Sequence, residues 1–321
     1  MPSSMPAKSD SITAVIPNWN GEARLRKLLP TLLHCKVIVV DNNSQDRSCE
    51  VARACGALCI TLDANYGFAK AVNTGILATG TRWVAILNND IALAEGFFEQ
   101  LLAADADFAA PRILSAANPA VIDGAFDLPT RSGAAYRAGA GRPAEDAIFL
   151  QPRQIHCAPM TAALFRRELF DTVGLLDESF GSYLEDVDFG IRCAIAGRHG
   201  RYVPSAVAYH EGSATLGGAW SAGSTQWISR NQMLLWRKHG GGWWPAVWGQ
   251  ALWGLLAVRN GVGRAWLKGK FEGFQVPMQR DCHQNWHSMV LQSEQEIRDL
   301  QRQAGFDWYW RQYFRGIGQT L

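Results

Sequence analysis

Asn88-Asn89-Asp90 stands where an apolar run stops. Trp83-Val84-Ala85-Ile86-Leu87 shows no polar alternation, which reads as a short strand buried on both faces. Two readings fit the triplet that follows. It is a turn, since Asn and Asp favour turns. Or it supplies oxygen ligands to a divalent cation at the carboxyl edge of an open α/β sheet, where such folds bind ligands. Two further apolar runs end in the same way, at Pro17-Asn18-Trp19-Asn20 and at Asp41-Asn42-Asn43-Ser44. Gathered at one sheet edge, these short polar side chains can hydrogen-bond a base and a ribose, with Asp41 the natural acceptor for a base N–H or ribose hydroxyls. No GxGxxG follows the first strand and no GxxxxGK[ST] occurs, which argues against a dinucleotide fold and a P-loop.

The elements that must position these residues alternate along the chain. Ser11–Pro17 reads as a first strand, and Gly21–Leu33 has helical spacing with Leu25, Leu28, Leu29 and Leu32 on one side. Val37–Val40 is a second strand, with Ser44 as N-cap of a helix reaching Ala54. Ala57–Leu62 is a third strand, followed by a helix from Ala69 to Ala78 that Gly80 can close. Such alternation predicts βαβ units and a mostly parallel sheet with right-handed crossovers. Beyond a helix at 96–103, residues 118–152 are rich in Ala, Gly, Pro and Arg and read as a long surface excursion, mobile over the site. Order returns with a strand at 155–165, a helix at 168–173, an acid-led helix within 181–198 and a strand at 201–209 that ends in His210. From Thr225 onward the pattern is helical.

The 321 residues suffice for one large domain, or one domain with an appendage, and the hydrophobic fraction of 48% excludes a disordered class. A formal net charge of +2 makes no electrostatic case for nucleic acid. The seven cysteines form no CxxC pair, as expected of reduced thiols in the cytoplasm. Residues 1–10 are polar and Pro/Ser-rich, read as a disordered N-terminus without a secretory h-region. No segment reaches the ~18 uncharged apolar residues of a membrane-spanning helix.

PNWNG, VIVVDNNSQD, NYGFAKAVNTG and AILNND, in that order, resemble the successive signatures of inverting family 2 glycosyltransferases with the GT-A fold, and within them rhamnosyltransferase-like bacterial members. The resemblance covers roughly 11–213. It implies a catalytic domain over 11–222, with a nucleotide-sugar half at 11–115 and an acceptor half at 155–215, and a helical region over 223–321. It places Asp41 on a uracil or thymine nucleoside, with Pro17, Asn18, Asn20 and Asn43 lining the pocket. Asn65, Gly67, Phe68, Lys70 and Asn73 would lie along the nucleotide and its diphosphate. A cation near a diphosphate is electrostatically sensible for Lys70; a solvated helix lysine is the other reading. Asn88-Asn89-Asp90 falls where the family carries its DXD motif. The first acid is missing here, so Asn88 and Asn89 are left as donor-side contacts and Asp90 as the ligand of Mg²⁺ or Mn²⁺. His210 is the second expected ligand, and imidazole suits Mn²⁺ better than Mg²⁺.

GSYLEDVDFGIR at 181–192 resembles the family's acidic motif. Inversion by direct displacement needs a base for the acceptor hydroxyl. Residues two apart on a helix differ by about 200° around its axis, so Asp186 and Asp188 do not both face one site. Asp188 stands four before Arg192, an ion-pair spacing. This favours Asp186 as base and leaves Asp188 as the alternative; acids that merely complement a helix dipole are the bland reading. Tyr183, Glu185 and Arg192 are expected on the acceptor side. The reading requires Asp90 and Asp186 to line one cleft. The implied donor is dTDP-rhamnose, with a UDP-sugar (galactofuranosyl for example) or a non-catalytic nucleotide-sugar binder as alternatives, and the implied acceptor is a glycan or lipid-linked saccharide of a surface polysaccharide. A sugar nucleotidyltransferase would begin with a Gly-rich loop that PNWNG does not provide.

Eight of the 13 tryptophans fall between Trp220 and Trp266. Trp243–Val258 carries no charge and is flanked by Arg237, Lys238 and His239 before and by Arg259, Arg264, Lys268 and Lys270 after, the composition of an interfacial helix. A peripheral position on the inner face of the cytoplasmic membrane is one reading, and packing on the catalytic domain or in a homodimer is the other. FDWYWRQYF at 306–314 is a second candidate for the same surface.

Overall fold

A computed structural model describes residues 11–32, 35–212, 220–278 and 284–320. The expected disordered stretch 1–10, the end of the acceptor half at 213–215 and Cys282 lie outside the described residues. In chain order the strands are β1 (Ile12–Asn18), β2 (Lys36–Asp41), β3 (Leu58–Thr61), β4 (Trp83–Leu87), β5 (Ile91–Leu93), β6 (Phe108–Ser115), β7 (Ile122–Gly124), β8 (Asp127–Pro129), β9 (Ala135–Arg137), β10 (Arg153–Ile155), β11 (Ala162–Arg166) and β12 (Gly200–His210). The helices are α1 (Glu22–Leu28), α2 (Ser48–Ala54), α3 (Phe68–Leu77), α4 (Phe97–Leu102), α5 (Arg167–Val173), α6 (Glu185–Ile195), α7 (Ala222–His239), α8 (Trp243–Arg259), α9 (Gly263–Gln275), α10 (Gln284–Ala304) and α11 (Trp308–Gly316).

The chain forms two units. The first is built on a mixed sheet of order β10-β12-β6-β11-β4-β1-β2-β3, with β5 on β12 and β7 on β6. β4, β1, β2 and β3 run parallel, as their apolar runs predict. β11 enters antiparallel between β4 and β6, so the sheet is mixed toward that side. β1 and β4 are buried along their whole length because helices cover both faces of the sheet. Asp41, the last residue of β2, pairs in register with Asn18, the last of β1.

Two local expectations are corrected. Ser44 does not cap α2, which starts at Ser48; its hydroxyl donates to Asp41 Oδ1 instead, at 2.6 Å. Residues 118–152 are not an open excursion. They contain β7, β8, β9 and a 3₁₀ turn at Ala147–Leu150, and bury Phe126, Leu128 and Phe149.

The second unit holds the β8–β9 hairpin, residues 182–197 with α6, and the helices α7 to α11. Gly269 and Gly273 sit on one face of α9, four residues apart. A Cβ at these positions would meet Gln226 O at 2.2 Å and Arg230 O at 2.6 Å, so glycine is what lets α9 lie directly on the α7 backbone. FDWYWRQYF is a packed helix and not a free surface. Tyr309, Trp310, Tyr313 and Phe314 are buried, and Tyr313 Oη donates to the buried Glu294 at 2.7 Å.

Candidate active site

In the first unit, three strand ends meet through side chains. Asn89 Nδ2 donates to Asn18 Oδ1 at 2.7 Å, and Asn18 Nδ2 donates to Asp41 Oδ1 at 2.9 Å. Ser44 N donates to Asp41 Oδ2 at 2.8 Å. Asp41 is buried at the end of β2, and this network fixes its carboxylate before any ligand arrives. Three of its four lone-pair positions are used, and the remaining one, on Oδ2, can take a base N–H. Pro17 is buried within β1, whereas Asn20, Asn43 and Asn65 are exposed around this edge. Asn20 and Asn43 both hold left-handed backbone, φ 47° and 61°. Asn20 Oδ1 accepts from Gln45 N and Asn43 Nδ2 donates to Asp63 O, so both shape the loops.

α3 starts at this edge. Gly67, φ 87°, accepts no side chain, because a Cβ there would lie 2.9 Å from the Gly181 carbonyl. Asn65 Oδ1 accepts from Gly67 N, and Ala69 N donates to Gly181 O at 2.8 Å. Phe68 is half-buried beside it. Lys70 is half-exposed and pairs with Glu178 at 3.3 Å. Such a solvated pair is worth little, which leaves the ammonium able to meet a phosphate. Asn73 departs from its expected place along the diphosphate. It is buried, donates to Leu176 O and Glu178 Oε1, and accepts from Leu176 N, so both ends of its amide tie α3 to the 176–178 segment.

Backbone pairing brings Asp90 and His210 together. β5 runs antiparallel to the end of β12 with Ile91 opposite His210, and Glu211 N donates to Asp90 O. Asp90 is buried, and its Oδ1 faces His210 Nε2 at 3.3 Å, an ion-pair distance. Asp123, on β7, lies 2.9 Å from His210 Nδ1. Burial pulls the imidazole pKa down, but hydrogen bonds to Asp123 and Asp90 and their charges outweigh it and bring it to about 9. Among the described residues no three His, Cys, Asp or Glu side chains form a ready-made cation cage. The pair nevertheless fits a divalent cation. Asp90 offers a buried oxygen that faces only the His210 ring across 3.3 Å, and Asp123 can hold the Nδ1 proton so that a neutral imidazole presents Nε2. Asn88, whose N–H donates to Thr161 O, and Asn89 flank this point without a carboxylate to add.

The second unit holds the acidic helix α6. Its first turn carries Glu185, Asp186 and Asp188 in different surroundings. Asp188 is fully buried. Its Oδ1 meets His239 Nε2 at 2.8 Å and Lys238 Nζ at 2.9 Å, and its Oδ2 accepts from Arg192 Nε at 2.9 Å. Burial opposes ionisation, but His239, Arg192 and Lys238 together hold the carboxyl well below the usual range. Arg192, expected on the acceptor side, is engaged here and lies over the Phe189 ring. Asp186 is half-exposed, and its Oδ1 accepts from Val187 N at 2.8 Å. Glu185 is buried with Oε2 unpartnered; burial, then the charge of Asp186, raise its pKa well above the carboxylate range. Tyr183 is half-buried, its pKa raised by burial and by Glu185.

The parallel core strands, the pre-formed polar cluster at their carboxyl ends and the antiparallel strand beside them define a GT-A-type nucleotide-binding fold. A profile described as "Glycosyl transferase family 2" matches residues 13–174, and the chain belongs to that family. A second, "Glycosyl transferase family group 2", matches 156–271. The chain is 29% identical over 284 residues to the pre-mycofactocin glycosyltransferase of Mycobacterium tuberculosis, across 82% of this chain and 56% of that protein. It thus spans little more than half of that relative. It is 28% identical over 260 residues to the N-acetylglucosaminyl-diphospho-decaprenol L-rhamnosyltransferase of the same species, across 70% of this chain and 81% of that one. Its fold is shared by GalNAc-T7, solved with UDP, GalNAc and Mn²⁺, at TM-score 0.57 and 14% identity, covering 95% of this chain and 56% of that one. A mannosyltransferase from Pyrobaculum calidifontis, solved with GDP-mannose and Mn²⁺, superposes with TM-score 0.53 at 13% identity, covering 97% and 76%.

Asp123 was not singled out from sequence, because its partner is 87 residues away. The only local signal was an acid following Val121-Ile122 in a stretch otherwise read as loop.

Proposed function

We propose that the protein transfers a sugar, with inversion, from a nucleoside diphosphate sugar to a hydroxyl of a glycan or lipid-linked saccharide. The buried pairing of Asp90 Oδ1 with His210 Nε2, at the sheet edge where Asn18, Asp41 and Ser44 are already linked, carries this reading. Asp41 receives the base, and Lys70 meets the diphosphate. Asp90 and His210 would hold Mn²⁺ or Mg²⁺, which when bound would neutralise charge on a departing diphosphate. Asp186 takes the acceptor hydroxyl proton as that oxygen bonds to the anomeric carbon and the carbon–oxygen bond to the diphosphate breaks. Asp188 does not serve, since three cationic or N–H partners hold it ionised and enclosed.

For the donor, a UDP-sugar takes first place over dTDP-rhamnose. UDP accompanies one solved relative of the fold, while the 28% identical rhamnosyltransferase keeps rhamnose as the second reading. Ligands that bind only the folded state raise the melting point. With Mn²⁺ present, UDP is expected to raise Tm more than dTDP, and both more than GDP. A larger shift with GDP, or none with any of the three, refutes the pocket assignment.

We further infer that α8 and α9 rest on an anionic membrane surface. Trp243, Val247, Leu255 and Val258 are exposed on α8, and Leu267, Phe271 and Phe274 on α9, beside exposed Arg259, Arg264 and Lys268. Among the described residues no helix is long and apolar enough to cross a membrane, so the contact is interfacial. A second copy would set this basic rim against itself. Co-sedimentation with phosphatidylglycerol vesicles is expected, weakened by Arg264→Glu with Lys268→Glu. Equal pelleting with pure phosphatidylcholine, or a dimer formed through this face, contradicts it.

A further inference from the structure

The turn that introduces α6 is strained, and one buried side chain holds it. Tyr183 and Leu184 are consecutive non-glycine residues in the left-handed region, with φ 73° and 65°. Bulky residues reach that region only at a cost, and such strain persists only where the surroundings over-determine it. Here the determinant is Asn231, in the middle of α7 and fully buried. Its Nδ2 donates to Ser182 O at 2.7 Å and to Tyr183 O at 2.7 Å. These are the two carbonyls that lead into Leu184, the residue before α6. The orientation of the amide is fixed from its other end. Arg230, lying over the Trp227 ring, donates to Asn231 Oδ1, so the NH₂ group faces the turn.

Seven and eight residues on, Lys238 and His239 hold Asp188. α7 therefore grips the acidic segment at two places, once on its backbone before α6 and once on a buried side chain within it. Asp186 lies between the two grips, two residues beyond Leu184 and two before Asp188. A side chain on a first helical turn is aimed by the backbone that enters the helix.

We infer that Asn231 is a positioning residue for Asp186: by pinning the Ser182 and Tyr183 carbonyls it keeps the strained turn that aims the Asp186 carboxylate at the acceptor hydroxyl. The inference rests on Asp186 being the base. It gives an account of a fully buried amide in the middle of α7.

The test uses the full chain. Asn231→Asp keeps the volume and replaces the donating NH₂ by an oxygen that repels both carbonyls. It is expected to lower kcat tenfold or more while the KM for the donor changes less than twofold. Glycine occupies the left-handed region without penalty. Leu184→Gly added to Asn231→Asp is therefore expected to recover a measurable part of kcat, and it also protects the variant against failing to fold. A merely structural asparagine gives a different pattern: kcat, donor KM and Tm deteriorate together, and Leu184→Gly restores none of the turnover. That pattern, or wild-type kcat in folded Asn231→Asp, overturns the inference. Asp186→Asn is measured alongside. Wild-type turnover in that variant removes the base assignment itself, whatever Asn231 does; an inactive Asp186→Asn with a fully active Asn231→Asp removes only the positioning role.

Discussion

Asp186→Asn is expected to reduce turnover by roughly 10²–10⁴-fold, the usual contribution of a positioned general base, with donor KM and Tm close to wild type. The expectation follows from what separates three acids in one helical turn. Asp188 is enclosed by Arg192, Lys238 and His239. A base held so firmly in its ionised form is a poor proton acceptor, and nothing of it reaches solvent. Glu185 is buried, and burial, then the charge of Asp186, push its pKa up, which favours its neutral form. A neutral Glu185 adds no second negative charge beside Asp186 and has a proton to donate to a sugar hydroxyl. Asp186 alone of the three is half-exposed, and its Oδ1 accepts the backbone N–H of Val187. The amide in Asp186→Asn keeps the size and can still accept that N–H bond, but it does not take up a proton. The donor is held elsewhere, so its KM is expected to stay within twofold. The measurement is initial-rate nucleotide release with saturating donor and a panel of saccharide acceptors. Turnover unchanged in the folded variant ends the assignment, and a fall confined to Asp188→Asn would move the base there.

The sheet was legible because its central strands are unbroken apolar runs ending in amides and acids. β1, β2 and β4 needed no tertiary information to be found, and their shared polar ends followed from parallel pairing. Strands of three residues are different. β7, β8 and β9 are too short to show a period of two, and their stretch is rich in Ala and Gly, so 118–152 read as loop although Phe126 and Phe149 are buried in it. Asp123 was hidden for that reason. The polar ties were legible only where both partners are local. Arg192 four after Asp188 is a helical spacing, whereas Lys238 and His239 reach the same carboxylate from 50 residues away. Asn73 went astray in the other direction. It belongs to a motif that resembles a nucleotide-binding signature, yet its amide is saturated by Leu176 and Glu178, about 100 residues on, and no local pattern encodes that. The Trp-rich end divides likewise. α11 looked like α8 in composition, but four of its aromatic residues are core while α8 leaves Trp243 and Trp244 exposed.

Asp188→Asn is expected to be the most destabilising of the conservative changes, by about 3–5 kcal/mol, because removing one partner of a buried ionic group leaves the others uncompensated. Tm would fall by roughly 10 °C. Lys238 and His239 lie on α7 and Arg192 on α6 itself, so all three cations or donors converge on one carboxylate, and an amide presents an NH₂ group where an acceptor is needed. The pH dependence separates this from simple loss of packing. The folded-state pKa of Asp188 lies below its unfolded value of about 3.8. Above that unfolded value the carboxylate is ionised in both states and its stabilisation is complete. As pH falls below about 4 the unfolded chain takes up the proton first, and the contribution drains away toward the lower folded-state value. Wild-type stability should therefore drop more steeply than that of Asp188→Asn as pH is lowered from 4, and the two melting points should converge. Parallel Tm curves for the two proteins between pH 7 and pH 3 would mean that Asp188 is not the charged hub of this unit. Catalysis provides a second check. Since Asp188 braces the helix that bears Asp186, Asp188→Asn should lose kcat even at temperatures where it is fully folded, but by less than Asp186→Asn. The donor side, built from strand ends in the other unit, should keep its nucleotide affinity.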